Sequence, residues 1–395
     1  MLFPTPGVGD PEEKVLAAIE DSHAALRAYV NRPRRWLGSL RRLSFARALQ
    51  GSNSIEGYNA SLDDAVAAVE GEELLDADQE TRAAVRGYRD AMTYVLQLAS
   101  DPHFDLNEAL LKSLHFMMTG YDLSKDPGRW RPGIIFVRND ATGEVVYEGP
   151  ESELVPGLVH ELVALLLQTE DSTHVMVRAA MAHLNLVMIH PFRDGNGRMA
   201  RCLQTLVLAR EGIVARQFCS IEEYLGRNTQ AYYDVLAKVG AGKWHPERDA
   251  RPWVRFVLTA HLHQARTMLR RIKETERLWY DLEHEAKKVH LPERTIAALF
   301  DASMGFRVRN ATYRHVADIS EQVASRDLKS IVDTGLLLPR GEGRGRYYMG
   351  SPELRAIWTE IHKPHSPSDD EDPFATPAMP PNVLTPGSEL DSEGG

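Results

Sequence analysis

An apolar run from Val175 to Ile189 stops at His190-Pro191-Phe192-Arg193-Asp194-Gly195-Asn196-Gly197-Arg198, and apolar residues resume at helical spacing at Met199, Leu203, Leu206 and Val207. A chain written this way has to bury one helix, turn tightly and bury a second, which traps the polar groups of the turn between packed elements. Gly195-Asn196-Gly197 can aim successive backbone amides into one concavity, at the positive end of the second helix. Arg198 and Arg201 are three positions apart, share the first helical turn, and carry fork-shaped guanidiniums suited to phosphate oxygens. Asp194 offers a hard oxygen for a Mg2+ that keeps most of its waters and is otherwise held by phosphates. His190 titrates near neutrality and can take a proton from an attacking hydroxyl. Each residue taken singly has an ordinary reading as a turn, a surface ion pair or a helix-end histidine. Taken together, they ask for a polyphosphate.

The stretch resembles the motif of the Fic family, histidine-x-phenylalanine-x-acidic-Gly-Asn-Gly-Arg-x-x-Arg, at every fixed position. The resemblance implies a mostly α-helical Fic fold with a β-hairpin flap, and an enzyme that transfers AMP from Mg-ATP to a Ser, Thr or Tyr hydroxyl. The recipient would be a target protein or the chain itself. It implies that His190 is the general base, Asp194 the Mg2+ ligand, and Phe192 a core anchor. Arg193, Asp194, Gly195, Asn196, Gly197, Arg198 and Arg201 would surround the ATP phosphates, with Asn196 helping to meet charge at the α-phosphate.

Ahead of this motif stands Gly51-Ser52-Asn53-Ser54-Ile55-Glu56-Gly57. On its own, Asn53 followed three residues later by Glu56 reads as a helix-capping box. In a large subclass of Fic proteins, a serine or threonine, three residues, glutamate and then glycine or asparagine form an inhibitory helix, and Ser52, Glu56 and Gly57 match that pattern. A glutamate near Arg201 would pair with its guanidinium and occupy the place of the ATP γ-phosphate. The same site could instead remove AMP from a modified protein, with Glu56 positioning a water.

Two β-rich runs, Ile134-Ile135-Phe136-Val137-Arg138 and Glu144 to Glu148, flank a turn at Asn139 to Gly143 and read as a hairpin. An isolated hairpin is marginal unless it leans on something. Its counterpart in Fic proteins is the flap that holds the target as an added strand, so Ile134 to Arg138 would line the site. Ile221 to Leu236 reads as one helix carrying Tyr232 and Tyr233, which point about 100° apart, so at most one can face a ligand squarely. In the family this position borders the adenine; Gly240 stands where an asparagine commonly follows.

Helical spacing also marks residues 12 to 30, a segment from Pro33 to Leu49, Leu62 to Val69, Arg82 to Leu98, Leu106 to Met118, Leu154 to Leu167 and a long run from Arg251 to Val289, with Ser61 and Asp105 as N-caps. Thr295 to Leu299, Ala311 to Ala317 and Val323 to Thr334 follow, then a second hairpin with a basic glycine-rich tip at Arg340 to Arg346. Helices followed by such a hairpin resemble the winged helix that many Fic proteins carry at this end. Arg326 and Lys329 stand against Asp327 and Asp333, a small footprint for DNA, so protein contact or a homodimer is the better reading and DNA the weaker one. A regulator whose Fic unit senses ATP is the alternative from another functional class.

The expected division is 1–110 for the N-terminal helical region, 111–245 for the catalytic core, 246–289 for the linking helix, 290–357 for the winged unit, and 362–395 for a disordered Pro/Ser-rich acidic tail. That tail holds Asp369, Asp370, Glu371, Asp372, Glu389, Asp391 and Glu393, much of the formal charge of -10. Cys202 and Cys219 give neither a disulfide framework nor a metal pattern. The N-terminus lacks a signal-like apolar run and no stretch reaches membrane-spanning length, so the expected location is the cytoplasm.

Overall fold

The computed structural model describes residues 1–138, 142–168, 173–212, 220–362 and 371–375. The expected turn at 139–141, Cys219 and the remainder of the tail lie outside the described residues, as does the side chain of Arg344.

The fold is mostly α-helical. Helix α1 (Asp10–Val30) buries Val15, Leu16, Ile19 and Leu26 along one stripe. Helix α2 (Leu37–Ile55) runs beyond the expected end at Leu49 and takes Ser52 and Asn53 into its buried face. The capping box predicted at Asn53 is therefore absent. Asn53 lies inside the helix, its side-chain amide donates back to Leu49 O at 2.8 Å, and Glu56 is the C-cap residue. Gly57 follows at φ +84°, the left-handed conformation that ends helices.

Helix α3 (Leu62–Val69) starts at the expected Ser61 cap, whose hydroxyl accepts from Asp64 N. Helix α4 (Gln79–Leu98) starts earlier than its apolar pattern, because Asp78 caps it. Helix α5 (Glu108–Thr119) is capped by Asn107 rather than Asp105. The chain then forms the hairpin of β1 (Phe136–Arg138) and β2 (Val145–Glu148), antiparallel with a bulge at Val137/Arg138. The strands are shorter than expected, and Ile134 and Ile135 precede β1.

The hairpin leans on the helical body. Tyr147 is buried and its hydroxyl donates to Met188 O at 2.7 Å, while Glu148 exchanges backbone hydrogen bonds with Gly242 and Trp244.

Helices α6 (Val155–Leu166), α7 (Val175–Ile189) and α8 (Asn196–Arg210) make the buried centre. Leu184, Leu186 and Ile189 of α7 and Met199, Ala200, Cys202, Leu203 and Leu206 of α8 are almost fully enclosed. The single helix expected over Ile221 to Leu236 is broken at Asn228 into α9 (Glu222–Arg227) and α10 (Thr229–Gly240). Asn228 takes ψ +38°, outside the helical range, which redirects the chain.

Helix α11 (Arg251–Lys288) is a 38-residue rod whose two halves serve different cores. Trp253, Val254, Val257 and Leu258 pack with α1 and α7. Ile272, Leu278 and Leu282 pack with α2 and with α12 (Ile296–Ser303), α13 (Asn310–Ala317) and α14 (Glu321–Asp333). Strands β3 (Leu337–Arg340) and β4 (Tyr347–Gly350) form the second hairpin.

A further helix, α15 (Pro352–Ile361), crosses the expected unit boundary at 357, with Ser351 as its cap and Pro352 in its first turn. The expected wholly disordered tail is also corrected. Residues 371–375 lie against α11, where Phe374 packs on the core, Arg255 stands 5.1 Å over its ring, and His263 is 3.1 Å from Glu371 O. Among the described residues no helix is long and apolar enough to cross a membrane.

Candidate active site at the α7–α8 loop

Helix α7 ends because His190 adopts φ +52°, ψ +57°, a left-handed cap that turns the chain sharply out of the helix. His190 Nδ1 lies 3.0 Å from Val187 O. A carbonyl only accepts, so Nδ1 carries the proton and Nε2 keeps its lone pair. Burial lowers the His190 pKa below the usual imidazole value, partly offset by the hydrogen bond to Val187. The ring is neutral at pH 7 and can act as a base.

The loop that follows is tightly braced. Phe192 is fully buried, stacked on His115 at 3.8 Å between centroids. His115 accepts from Gly128 N through Nδ1 and so donates through Nε2 to Asp194 O, 2.9 Å away. Burial lowers its pKa to about 4, which keeps it in the neutral form this bridge needs. Asn196 spends both ends of its side-chain amide on Phe192, accepting from N and donating to O at 2.9 Å each. Both of these bonds brace the loop. Arg193 lies at the surface, paired with Asp126 at 3.2 Å.

Arg198 in the first turn of α8 and Arg201 in the second are almost completely buried. Arg201 is held by Ser52 and Glu56: Nε donates to Ser52 Oγ at 2.7 Å, and Nη2 donates to Ser52 O at 3.0 Å and to Glu56 Oε1 at 2.7 Å, while Nη1 is buried without a hydrogen-bond partner among the described residues. Burial works against its charge, but Glu56 more than compensates and raises the pKa of Arg201 above the usual guanidinium value. Arg198 is the opposite case. Its Nε, Nη1 and Nη2 are buried without a hydrogen-bond partner among the described residues, its nearest carboxylate being Asp194 at 3.9 Å. A buried guanidinium without acceptors is costly and marks a place made for an anion.

Two close backbone approaches put Ser52 and Glu56 there. A Cβ on Gly51 would fall 2.4 Å from Glu222 O, and one on Gly226 would fall 2.6 Å from Gly51 Cα, so α2 and α9 meet glycine against glycine. A Cβ on Gly197 would lie 2.4 Å from Glu56 Oε1, so the glycine in the loop is also what lets Glu56 reach Arg201.

Asp194 is half-exposed at the mouth. Its Oδ1 accepts from Gly195 N at 2.6 Å, and Lys125 stands 3.2 Å from Oδ2. Burial would raise its pKa, but Arg198 and Lys125 outweigh that and hold the carboxyl below the usual value. Among the described residues no group of three or more His, Cys, Asp or Glu side chains could hold a metal. A lone ionised carboxylate beside an unsatisfied arginine fits Mg2+ only in the form phosphate ligands bring with them.

The tyrosines separate as their spacing requires. Tyr232 is buried, with its hydroxyl 3.0 Å from His183 Nε2, while Tyr233 is 44% exposed and donates to Ile55 O at 3.0 Å. Gly240 lies under Tyr147 and Met188, where a Cβ would meet both at 3.2–3.3 Å. In the hairpin, Ile134 and Phe136 are exposed and Val137 is partly buried against the core.

Three contributors were not singled out from the sequence. Arg131 ties the hairpin to the loop: its Nε donates to His190 O at 2.8 Å, its backbone N to Pro191 O at 2.9 Å, and its other guanidinium nitrogens to Gly133 O and Pro150 O. Lys125 reaches Asp194, and Tyr58 lies beneath Arg198 with the guanidinium carbon 5.1 Å from its ring centroid. The signal available in advance was modest, a charged residue between glycines at Arg131 and an aromatic one position after Gly57.

A helical body holds a histidine, a carboxylate and two buried arginines around a glycine loop, an arrangement suited to an anion. Residues 105–208 match the model of the Fic/DOC family, and the chain carries a Fic domain. It is 29% identical over 218 residues to a Nematostella vectensis protein named protein adenylyltransferase Fic, covering 52% of this chain and 44% of that one. A Drosophila willistoni protein of the same name is 27% identical over 260 residues, 62% of this chain and 46% of the relative. The chain thus aligns with less than half the length of these relatives. Among solved structures, a Fic family protein from Desulfovibrio desulfuricans G20 superposes with a TM-score of 0.56 at 22% identity, over 88% of this chain and 98% of that one. The Caenorhabditis elegans Fic-1 fragment 134–508 gives 0.52 at 23%, over 66% and 74%. These likenesses establish the fold.

Proposed function

We propose that this chain is a protein adenylyltransferase that moves AMP from Mg-ATP onto a Ser, Thr or Tyr hydroxyl, restrained by Glu56. The observation that carries the reading is the contrast between the two arginines of α8: Nε and Nη2 of Arg201 are paired with Ser52 and Glu56, whereas none of the three guanidinium nitrogens of Arg198 has a hydrogen-bond partner among the described residues.

In the step proposed, the target hydroxyl oxygen forms a bond to the α-phosphorus of ATP and the bond from that phosphorus to the β-bridging oxygen breaks. The hydroxyl proton passes to His190 Nε2, and pyrophosphate leaves toward Arg201. The amides of Asn196 and Gly197, with that of Gly195 held by Asp194, and the guanidinium of Arg198 would face the charge that grows on the phosphoryl oxygens. Mg2+ beside Asp194 would supply further charge neutralisation when bound with the nucleotide. The exposed edge of β1, which pairs only with β2 among the described residues, is suited to hold the target as an added strand. Tyr233 would border the adenine, since Tyr232 is enclosed. The helices and hairpin from α12 to β4 read as a winged-helix unit for contact with protein, and the setting as cytoplasmic.

Removal of AMP is the second reading, because Glu56 places a carboxylate beside Gly197, where it could orient a water. Incubating wild type and Glu56→Gly with α-phosphate-labelled ATP, and separately with an AMP-modified protein, distinguishes the two. Label transfer that rises in Glu56→Gly supports AMP addition. AMP release by wild type that disappears in Glu56→Gly supports removal.

A further inference from the structure

Asp194 already has a cation. Lys125, at the end of a short 3-10 turn (Leu123–Lys125), places Nζ 3.2 Å from Asp194 Oδ2, 2.9 Å from Tyr58 Oη and 3.2 Å from Tyr121 Oη. Those three acceptors match the three hydrogens of an ammonium group, and Glu80 Oε1 stands just beyond at 3.4 Å. With its side chain only 16% exposed, Lys125 is a fixed charge and not a solvated surface lysine. It joins the turn after Glu56, the turn after α5 and the loop between α7 and α8 at one point. Arg198 approaches the same carboxylate oxygen at 3.9 Å, so two positive groups meet Oδ2.

We propose that Lys125 is a positioning residue that serves as the resident counter-ion of Asp194 and competes with a divalent cation for that carboxylate. The inference rests on the reading of Asp194 as the metal-binding carboxylate. A dication added beside Lys125 and Arg198 meets like charge at short range, which weakens its hold on the nucleotide-free protein. Nucleotide phosphates bring negative charge that offsets Lys125, so the metal enters with the nucleotide rather than before it. In the meantime the ammonium holds the Asp194 side chain against Tyr58 and Tyr121.

The test is binding of Mn2+, read as loss of the free-ion paramagnetic signal, with and without a non-hydrolysable ATP analogue, in the full chain. Without nucleotide, Lys125→Met and Lys125→Gln should hold Mn2+ about tenfold more tightly than wild type. Lys125→Arg, which keeps the charge, should stay near wild type. With the analogue present, the difference between wild type and the neutral variants should narrow. Lys125→Gln guards against a packing defect in Lys125→Met, and a melting curve for each reports the fold. Neutral variants that bind Mn2+ no more tightly than wild type, or more weakly, would overturn the proposal, as would Lys125→Arg behaving like Lys125→Met. Asp194→Asn separates the layers. If it leaves Mn2+ binding with the analogue intact, the reading of Asp194 as metal carboxylate fails; if it abolishes that binding while Lys125→Gln equals wild type, only the role of Lys125 fails.

Discussion

At the scale of single residues, the proposed restraint is one carboxylate on one guanidinium. Glu56 Oε1 and Arg201 Nη2 are 2.7 Å apart in a site where Arg201 is 1% exposed, so the pair is a charge-assisted bond with little solvent screening. Bonds of this kind are worth roughly 1.5–3 kcal/mol, so Glu56→Gly should raise AMP transfer by about tenfold to a hundredfold. Initial rates of label transfer at equal ATP check this. In the proposed step His190 is the base, so His190→Ala should lower turnover by on the order of 10²–10⁴ without changing the melting temperature appreciably.

The pH profile follows from the same ring. Burial depresses the His190 pKa in the folded protein, so Nε2 stays unprotonated below the usual imidazole range. Activity should therefore hold steady from pH 8 down past about 6.5 and fall only in more acidic buffer. A rate already halved near neutrality would contradict a depressed pKa. The residues proposed for these roles were legible in the sequence because His190 lies in the glycine-rich motif and Glu56 in a second short stretch, Ser52 to Gly57. Lys125 and Arg131 were not, since their partners lie 69 and 59 positions away and only the packed loop brings them together.

Elements were legible where one apolar face repeats without interruption. Helix α11 came through almost unchanged because its periodicity runs unbroken from Trp253 to Ala286. Helix starts failed where caps lie outside the apolar pattern, as with Asp78 ahead of α4 and Asn107 ahead of α5. The break at Asn228 was missed because Leu225 and Tyr232 on either side of the polar run Gly226 to Gln230 are seven positions apart, a spacing that one continuous helix also gives. The hairpin was legible as two β-rich runs, but its anchorage was not, because Arg131 reaches backbone carbonyls and a carbonyl leaves no mark in a sequence. That anchorage has a consequence for the element. Arg131→Ala removes donors from His190 O, Gly133 O and Pro150 O together, so amide protons of β1 and β2 should exchange at least about tenfold faster while those of α7 and α8 keep their protection. Equal loss of protection in all four elements would show a global defect instead.

Across the whole molecule, the division expected from composition is softened by shared cores and ion pairs. The second half of α11 shares one apolar cluster with the first part of α2 and with α12 to α14, so the C-terminal unit completes a core that the N-terminal helices also build. Arg307 pairs with Asp63 at 3.2 Å and Asp76 at 2.7 Å, Arg309 pairs with Glu72, and Arg42 with Asp301, all linking the α2–α4 region to the C-terminal unit. Arg307→Ala should lower the melting temperature by about 2 °C, and calorimetry of the full chain checks it. Charge on α14 also differs from its sequence reading. Asp327 is buried on Arg294 and Tyr313, so it does not cancel the exposed Arg326 and Lys329. A one-dimensional count of charges cannot separate an inward aspartate from an outward one.

The most direct test of the account is the intact mass of wild type, Glu56→Gly and Glu56→Gly/His190→Ala after incubation with Mg-ATP labelled on the α-phosphate, together with label on the proteins of an added lysate. The account predicts an AMP-sized gain or a labelled target with Glu56→Gly, little with wild type and none with the double variant. Nucleotide binding by all three proteins with no label transferred by any of them would contradict it.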